Sequence, residues 1–338
     1  MTIKDLSAQT GYSVGTISRV LNNQPNVSER ARRAVMAAAE ASGFQLNVNA
    51  KQLKQQHATS ILVVVKGTSN ELFATLMEAI QSLAVKLPYP LLVEYIDEDD
   101  NEVLRAVQLC REKKPLGVLF LGGNQENFRK DFHRITQPCV LVTNDASGLS
   151  FSNLSSVTTD DRQAACRAVE HLVRLGHRHI VVVGGDRAVS DTSRLRYQGC
   201  MDAFRSHEIS FDERLDYWAG RYSYADGYRA VQDLLARGRQ FTGLFAMADV
   251  IAIGAVRALR DNGLRVPEDV SVMGFDGLPI GEYFIPKLAT ISQPVEALAA
   301  RSFQILRECI EDKGEARYET VPFTVAWKES VQILNCEE

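Results

Sequence analysis

The sequence holds 338 residues, 45% of them hydrophobic and 24% charged, with a net charge of −4, the balance of a globular chain with room for two or three cores. No apolar run approaches the roughly 20 residues that span a bilayer, and Met1 to Ser7 lacks the apolar centre of an export signal, so a membrane partner is excluded and a cytoplasmic location is expected. Six cysteines are scattered with no Cys-x-x-Cys pair, which favours reduced, buried thiols.

Charge is unevenly spread. Residues 1–56 hold seven basic and three acidic side chains, a net +4, so the remainder carries −8. A basic piece that meets phosphate and an acidic body that does not is the simplest reading.

In chain order, Thr2 caps a first helix with Asp5 three residues later, and Ile3, Leu6 and Ala8 give that helix an apolar side. Gly11 breaks it. A second helix starts from a Ser13 cap, gathers Ile17, Val20 and Leu21 on one face, and leaves Thr16, Ser18, Arg19 and Asn22 pointing outward. Two short helices about a glycine turn make a helix-turn-helix, whose second helix enters the major groove. A third helix runs from a Ser28 cap through Ala31, Val35 and Ala38 until Gly43 stops it. The plainer reading of such a pair is a small packing module, but capping, charge and the downstream pattern together favour a DNA reader.

The apolar run Ser60 to Val65 then reads as a strand buried on both faces. Strands at Leu91–Tyr95, Gly117–Leu121 and Cys139–Thr143 alternate with helices near Phe73–Val85, Glu102–Glu112 and Phe128–Ile135, the pattern of a parallel sheet covered by helices. A second unit begins after Asp160. Its helix near Gln163–Leu175 precedes strands Ile180–Val183, Leu244–Met247 and Val270–Gly274, interleaved with helices near Arg194–His207, Ser223–Ala236 and Val250–Asn262. Leu288–Ile291, a helix Val295–Ile310 and a final strand near Thr324–Trp327 complete the chain.

Two doubly wound halves invite a nucleotide reading. The phosphate-cradling Gly-x-Gly-x-x-Gly and Gly-x-x-x-x-Gly-Lys-Ser/Thr patterns and the Gly-x-Ser-x-Gly elbow do not occur, so no cofactor and no catalytic residue is assigned. His171, His177 and His179 lie where a helix gives way to a strand, a structural junction rather than a metal site, and no metal is expected.

Thr2 to Leu6, Gly11 to Asn22, Val27-Ser28 and the run Asn49-Ala50-Lys51-Gln52-Leu53 resemble the lactose-repressor family of bacterial transcription regulators, and the resemblance extends along essentially all 338 residues. It implies an N-terminal all-α helix-turn-helix domain followed by an α/β body of the periplasmic-binding-protein type I fold, two parallel-sheet lobes joined by three crossovers. Residues 1–46 would be the reader, 47–59 a hinge helix and linker, and 60–338 the effector-binding body, with one lobe near 60–158 and 292–322 and the other near 159–291 and 323–338.

By the same resemblance, DNA contacts fall to Ile3, Ser13, Val14, Gly15, Thr16, Ser18, Arg19, Asn22, Ser28, Asn47, Ala50, Lys51 and Leu53, with Leu53 as an apolar wedge in the minor groove. Leu46 stands where the family has proline, and Lys51 where it has arginine. Effector contacts fall to Phe73, Thr143, Ser190, Thr192, Arg196, Tyr222 and Asp276, a set suited to a sugar: aromatic faces cover C–H surfaces while a guanidinium and a carboxylate pair with hydroxyls. The plainer readings are core aromatics for Phe73 and Tyr222 and a structural ion pair for Arg196 and Asp276. Ala248 replaces a common asparagine and Gly277 a frequent aspartate.

The implied protein is a cytoplasmic, sequence-specific repressor, a homodimer on a two-fold double-stranded DNA operator, controlled by a carbohydrate-like small-molecule effector and catalysing nothing. A chain ending Val331 to Glu338 has no room for a heptad helix, so a dimer is expected rather than a tetramer. A solute receptor or an enzyme using the same cleft is the rival from another class.

Overall fold

Glycine and serine punctuate the start of the chain at the spacing of short helices, and three helices result. The structure, a computed structural model, describes residues 3–21, 27–42, 60–68, 70–85, 89–312 and 314–334, and the chain divides into two units, 1–57 and 58–338. In the first, α1 (Ile3–Thr10), α2 (Val14–Leu21) and α3 (Glu29–Ala41) close around Leu6, Ile17, Val20, Val35 and Ala39. Gly11 ends α1 at φ +73°, a conformation that costs glycine nothing. Ser13 Oγ accepts the Thr16 N–H at 3.2 Å and Ser28 Oγ the Ala31 N–H at 3.3 Å, so both expected caps form. Ala8 departs from expectation: it is exposed, because two residues beyond Leu6 is a turn of about 200° around the helix. The Thr2 cap, the Gly43 stop and the hinge run fall outside the described residues.

The second unit holds two lobes. In the first, β1 (Ile61–Lys66), α4 (Glu71–Ala84), β2 (Leu91–Ile96), α5 (Glu102–Lys113), β3 (Gly117–Leu121), α6 (Gln125–Asp131), β4 (Cys139–Val142) and β5 (Leu154–Thr158) follow in order. The other runs through α7 (Asp161–Arg174), β6 (Ile180–Gly184), α8 (Asp191–Ser206), a single turn α9 (Glu213–Asp216), β7 (Tyr217–Ala219), α10 (Tyr224–Ala236), β8 (Gly243–Ala246), α11 (Asp249–Asp261), β9 (Ser271–Asp276), a single turn α12 (Ile280–Tyr283) and β10 (Ala289–Ser292). Then α13 (Val295–Asp312) and β11 (Tyr318–Thr320) return to the first lobe, and β12 (Thr324–Ala326) to the second.

The sheet orders are β2-β1-β3-β4-β5-β11 and β7-β6-β8-β9-β10-β12. The chain passes between them after Thr158, Ser292 and Thr320, giving the expected two lobes and three crossovers. Pairing is parallel, with Ile61 opposite both Leu91 and Gly117, except that β12 runs antiparallel to β10, a departure from the all-parallel expectation. Three strands were not foreseen: β5 is serine-rich, and β7 and β11 are three-residue pieces whose extended form comes from pairing with a neighbour.

Strand residues alternate between cores. Leu62, Val64, Val118, Phe120 and Leu141 pack with α5 and α6, while Ile61, Val63, Leu119 and Val140 join the core that holds Leu76 and Ile80 of α4 and Leu306 of α13. In both lobes the strand order reverses beside β1 and β6, so the loops at the carboxyl ends of the strands open a crevice, and contacts between those loops, such as Arg221 with Asp97 to Asp99, turn the two crevices toward each other.

Candidate functional site

In the helical unit, α2 buries Ile17 and Val20 and thereby turns its other side outward. Ser13, Val14, Gly15 and Arg19 are exposed and Thr16 and Ser18 half-buried, with Ser13 and Thr16 hydroxyls 3.0 Å apart. Ile3 opens α1, and Ser28 serves as the α3 cap. Asn22, Asn47, Ala50, Lys51 and Leu53 lie outside the described residues.

In the second unit, Arg196 projects from α8 into a buried polar cluster and is 4% exposed. Its Nε donates to Asp161 Oδ1 at 2.8 Å, another of its N–H groups donates to the Met247 carbonyl, and its guanidinium lies 3.6 Å over the Phe275 ring. Asp276 ends β9 at φ +121° with Oδ1 3.9 Å from Arg196. The ion pair weighed from sequence is therefore made chiefly with Asp161, a residue to which the sequence analysis gave no role.

Gln293 Nε2 donates to Asp276 Oδ1 at 2.9 Å, and its Oε1 accepts from Thr159 Oγ1 at 3.0 Å. Thr159 and Gln293 sit on two of the chain crossings, so the cluster is wired to the segments between lobes. Burial raises the Asp276 carboxyl to about 6, against the pull of Arg196 and Gln293. It raises Asp161 too, despite the guanidinium beside it.

Tyr222 meets Ser193 at 2.8 Å between hydroxyls, and Ser193 donates to Ser190 Oγ at 3.0 Å, while Ser190 caps α8. From the other lobe, Thr143 stands at φ +74° after β4 and donates to Asn144 Oδ1, whose Nδ2 donates to Thr192 Oγ1 at 3.1 Å. Positive φ at two non-glycine residues, Thr143 and Asp276, both at strand ends facing the cleft, is strain of the kind that collects at binding sites. Phe73 behaves differently: it is 7% exposed and belongs to the core, packed against Gly122 at the end of β3.

Asp249 was unassigned from sequence beyond its place after Ala248. It is fully buried, accepts from Thr290 Oγ1 at 2.6 Å and Leu278 N at 2.7 Å, and so pins the loop after β9. Burial, with the charge of Asp276, pushes its carboxyl up to about 8. Gly277 has φ +77°, and a Cβ there would meet Ser292 Oγ at 2.3 Å, which explains why no side chain stands at that position. Ala248, at the α11 N-cap, makes no side-chain cap bond.

The lobes touch across the cleft. Arg221 binds Asp97, Glu98 and Asp99 beyond β2, Tyr224 binds Glu71, and the Gln125 N–H donates to Asp191 Oδ2 at 3.2 Å. Two open depressions lie elsewhere. One of ≈ 690 Å³ is lined by His171, Trp327, Lys328 and Ile333, the other, ≈ 630 Å³, by Tyr224, Tyr228, Ile253, Arg257, Phe284 and Ile285.

Two of the three histidines make structural contacts. His177 places its ring nitrogens 3.0 Å from Thr242 Oγ1 and 3.2 Å from the Gln332 carbonyl, and His171 stacks on Trp327 at 3.6 Å. Cys110, Cys139 and Cys200 are buried and Cys166 and Cys309 half-buried, with burial raising Cys110 to about 11.

Residues 2–47 match the bacterial regulatory proteins of the lacI family, and residues 169–331 match a periplasmic binding protein-like domain. The chain is 33% identical over 323 residues to the HTH-type transcriptional regulator MalR of Clostridium butyricum, covering 94% of this chain and 95% of that one. Among solved structures, a LacI family transcriptional regulator from Enterococcus faecium with bound ribose shares 26% identity at a TM-score of 0.71, over 82% of this chain and 100% of that one. The Lac repressor dimer bound to operator and the anti-inducer ONPF matches in fold, at 24% identity and a TM-score of 0.76, over 98% of this chain and 99% of that one.

Proposed function

The chain belongs to the lacI family of bacterial regulatory proteins and is a helix-turn-helix transcriptional regulator, and from that premise we propose that it is a cytoplasmic repressor whose operator affinity is set by a saccharide held between its lobes. The observation that carries the effector reading is the set of polar groups facing the cleft, buried Arg196 and Asp276 with half-buried Tyr222 and Ser190, on the lobe whose Thr192 is bonded by Asn144 beside Thr143 of the other lobe. Hydroxyl groups suit it. They donate to the Asp276 carboxylate and accept from guanidinium, amide and hydroxyl donors, while Tyr222 offers a ring face. Phe73 would serve from the first lobe as the base of the cleft.

Residues 1–46 are assigned as the reader, 47–59 as the hinge, and the lobes as 60–158 with 292–322 and 159–291 with 323–338. Base reading falls to Arg19, supported by Ser13, Thr16, Ser18 and Asn22, with Val14 and Gly15 making close backbone or apolar contacts. Ile3 and Ser28 flank the reader, Asn47, Ala50 and Lys51 meet the backbone, and Leu53 wedges the minor groove. A reader of this kind uses two copies on a two-fold operator, in keeping with the 86% exposed Tyr283 and 75% exposed Ile285 beside the ≈ 630 Å³ depression.

The cleft returns its ligand unchanged. Titration calorimetry of the full chain against a panel of mono- and disaccharides tests the effector role: a binder is expected whose heat vanishes in Asp276→Ala, and an Asp276→Ala protein that binds as the wild type does would move the site elsewhere. Recovery of an altered saccharide would instead favour an enzyme.

A further inference from the structure

The charges around the cleft are unequal. Each cation at the carboxyl ends of the strands, among the described residues, already carries a carboxylate. Lys66 lies 2.8 Å from the buried Glu102, Arg194 2.8 Å from Asp191, Arg187 is joined to Glu213, and Arg221 holds Asp97, Glu98 and Asp99. Arg196 is the one of these that is buried in the polar cluster, and it is shared between two buried carboxylates, Asp161 at 2.8 Å and Asp276 at 3.9 Å. Its Nε and one terminal N–H are spent on Asp161 and the Met247 carbonyl.

The cluster therefore has an excess of negative charge that no neighbouring cation offsets. A hydroxyl meets no penalty there, since it donates to Asp276 and accepts from what remains of the guanidinium. A carboxylate or phosphate would lie against Asp276 in a low-dielectric site, with its natural partner Arg196 held by Asp161.

We propose that the cleft takes an uncharged, hydroxyl-rich ligand and rejects its anionic counterparts, and that Asp161 sets this preference by occupying Arg196. The inference rests on the saccharide reading of the cleft and narrows it. Asp161 is a positioning residue: it acts through the guanidinium. Replacing it with asparagine keeps the shape, removes the charge and leaves Arg196 able to pair with an incoming anion.

The test is calorimetry of the full chain with neutral mono- and disaccharides, each beside its uronate or phosphate ester. In the wild type the neutral member of a binding pair is expected to bind at least about 100-fold more tightly than its anion, about two powers of ten. In Asp161→Asn that ratio is expected to fall by at least about tenfold, a change that a purely structural role, weakening both members alike, would not produce. An anion binding as well as or better than its neutral partner in the wild type overturns the inference and leaves the saccharide reading standing. Binding by neither class overturns both. A folded Asp161→Asn protein with an unchanged ratio overturns the role of Asp161, and the wild-type comparison stands as the test if that variant does not fold.

Discussion

At the scale of single residues, the proposed function rests most on Arg19 and Asp276. Arg19 is exposed on the helix whose opposite side buries Ile17 and Val20, so Arg19→Ala is expected to cost about 1–3 kcal/mol on specific DNA and much less on random DNA, measured by titrating both. Equal losses would reduce it to a phosphate contact. For Asp276, burial raises the carboxyl to about 6, Arg196 and Gln293 hold it down, and the charge of Asp161 pushes it up. Hydroxyl donors bind the ionised form. As pH falls through about 6 the group takes up a proton and loses that acceptor, so effector affinity should fall by up to about tenfold per unit below that point and level off above pH 7. Affinity that rises on acidification would mean the ligand accepts a proton from Asp276. Arg196 and Asp276 were legible in their short motifs, but Asp161 was not, because its partner is 35 residues away and no local pattern records a pairing made by folding.

At the scale of elements, the strands that form the sheet interiors were plain in the sequence because burial on both faces leaves unbroken apolar runs such as Ile61 to Val65. The missed β5 is buried as well, yet its serines find partners within the fold: Ser155 Oγ accepts the Arg317 N–H and Ser156 Oγ the Ala146 N–H, each at 3.0 Å. Those partners are invisible locally. The contact between the loops after β2 and β7 was likewise unforeseen: they meet through Arg221 and the acidic run Asp97 to Asp99. Glu98 is raised by burial even against the Arg221 charge, so this contact is partly shielded from solvent. Arg221→Ala is expected to speed effector release while leaving DNA binding without effector unchanged, and added salt should act in the same direction. Release rates from stopped-flow that match the wild type would show the contact to be incidental to closure.

At the scale of the whole molecule, the proposed function calls for two copies and two linked equilibria. The exposed Tyr283 and Ile285 lead us to expect a homodimer that Ile285→Asp dissociates in sedimentation, and a wild-type monomer at working concentration would contradict this. On the proposed function, control would run through wiring within the second unit. Gln293 and Thr159 tie Asp276 to the segments between the lobes, so on this proposal a ligand on Asp276 would favour one lobe arrangement over another and change the cost of ordering the proposed hinge on DNA. The most direct measurement is a titration of the full chain on a duplex selected by the protein from a random pool, with and without the saccharide identified by calorimetry. Operator affinity is expected to change by about 5- to 150-fold, a coupling of about 1–3 kcal/mol, and Asp276→Ala is expected to lose the change while keeping its affinity without effector. An operator affinity indifferent to the bound saccharide, or an Asp276→Ala protein that still responds in full, would contradict it.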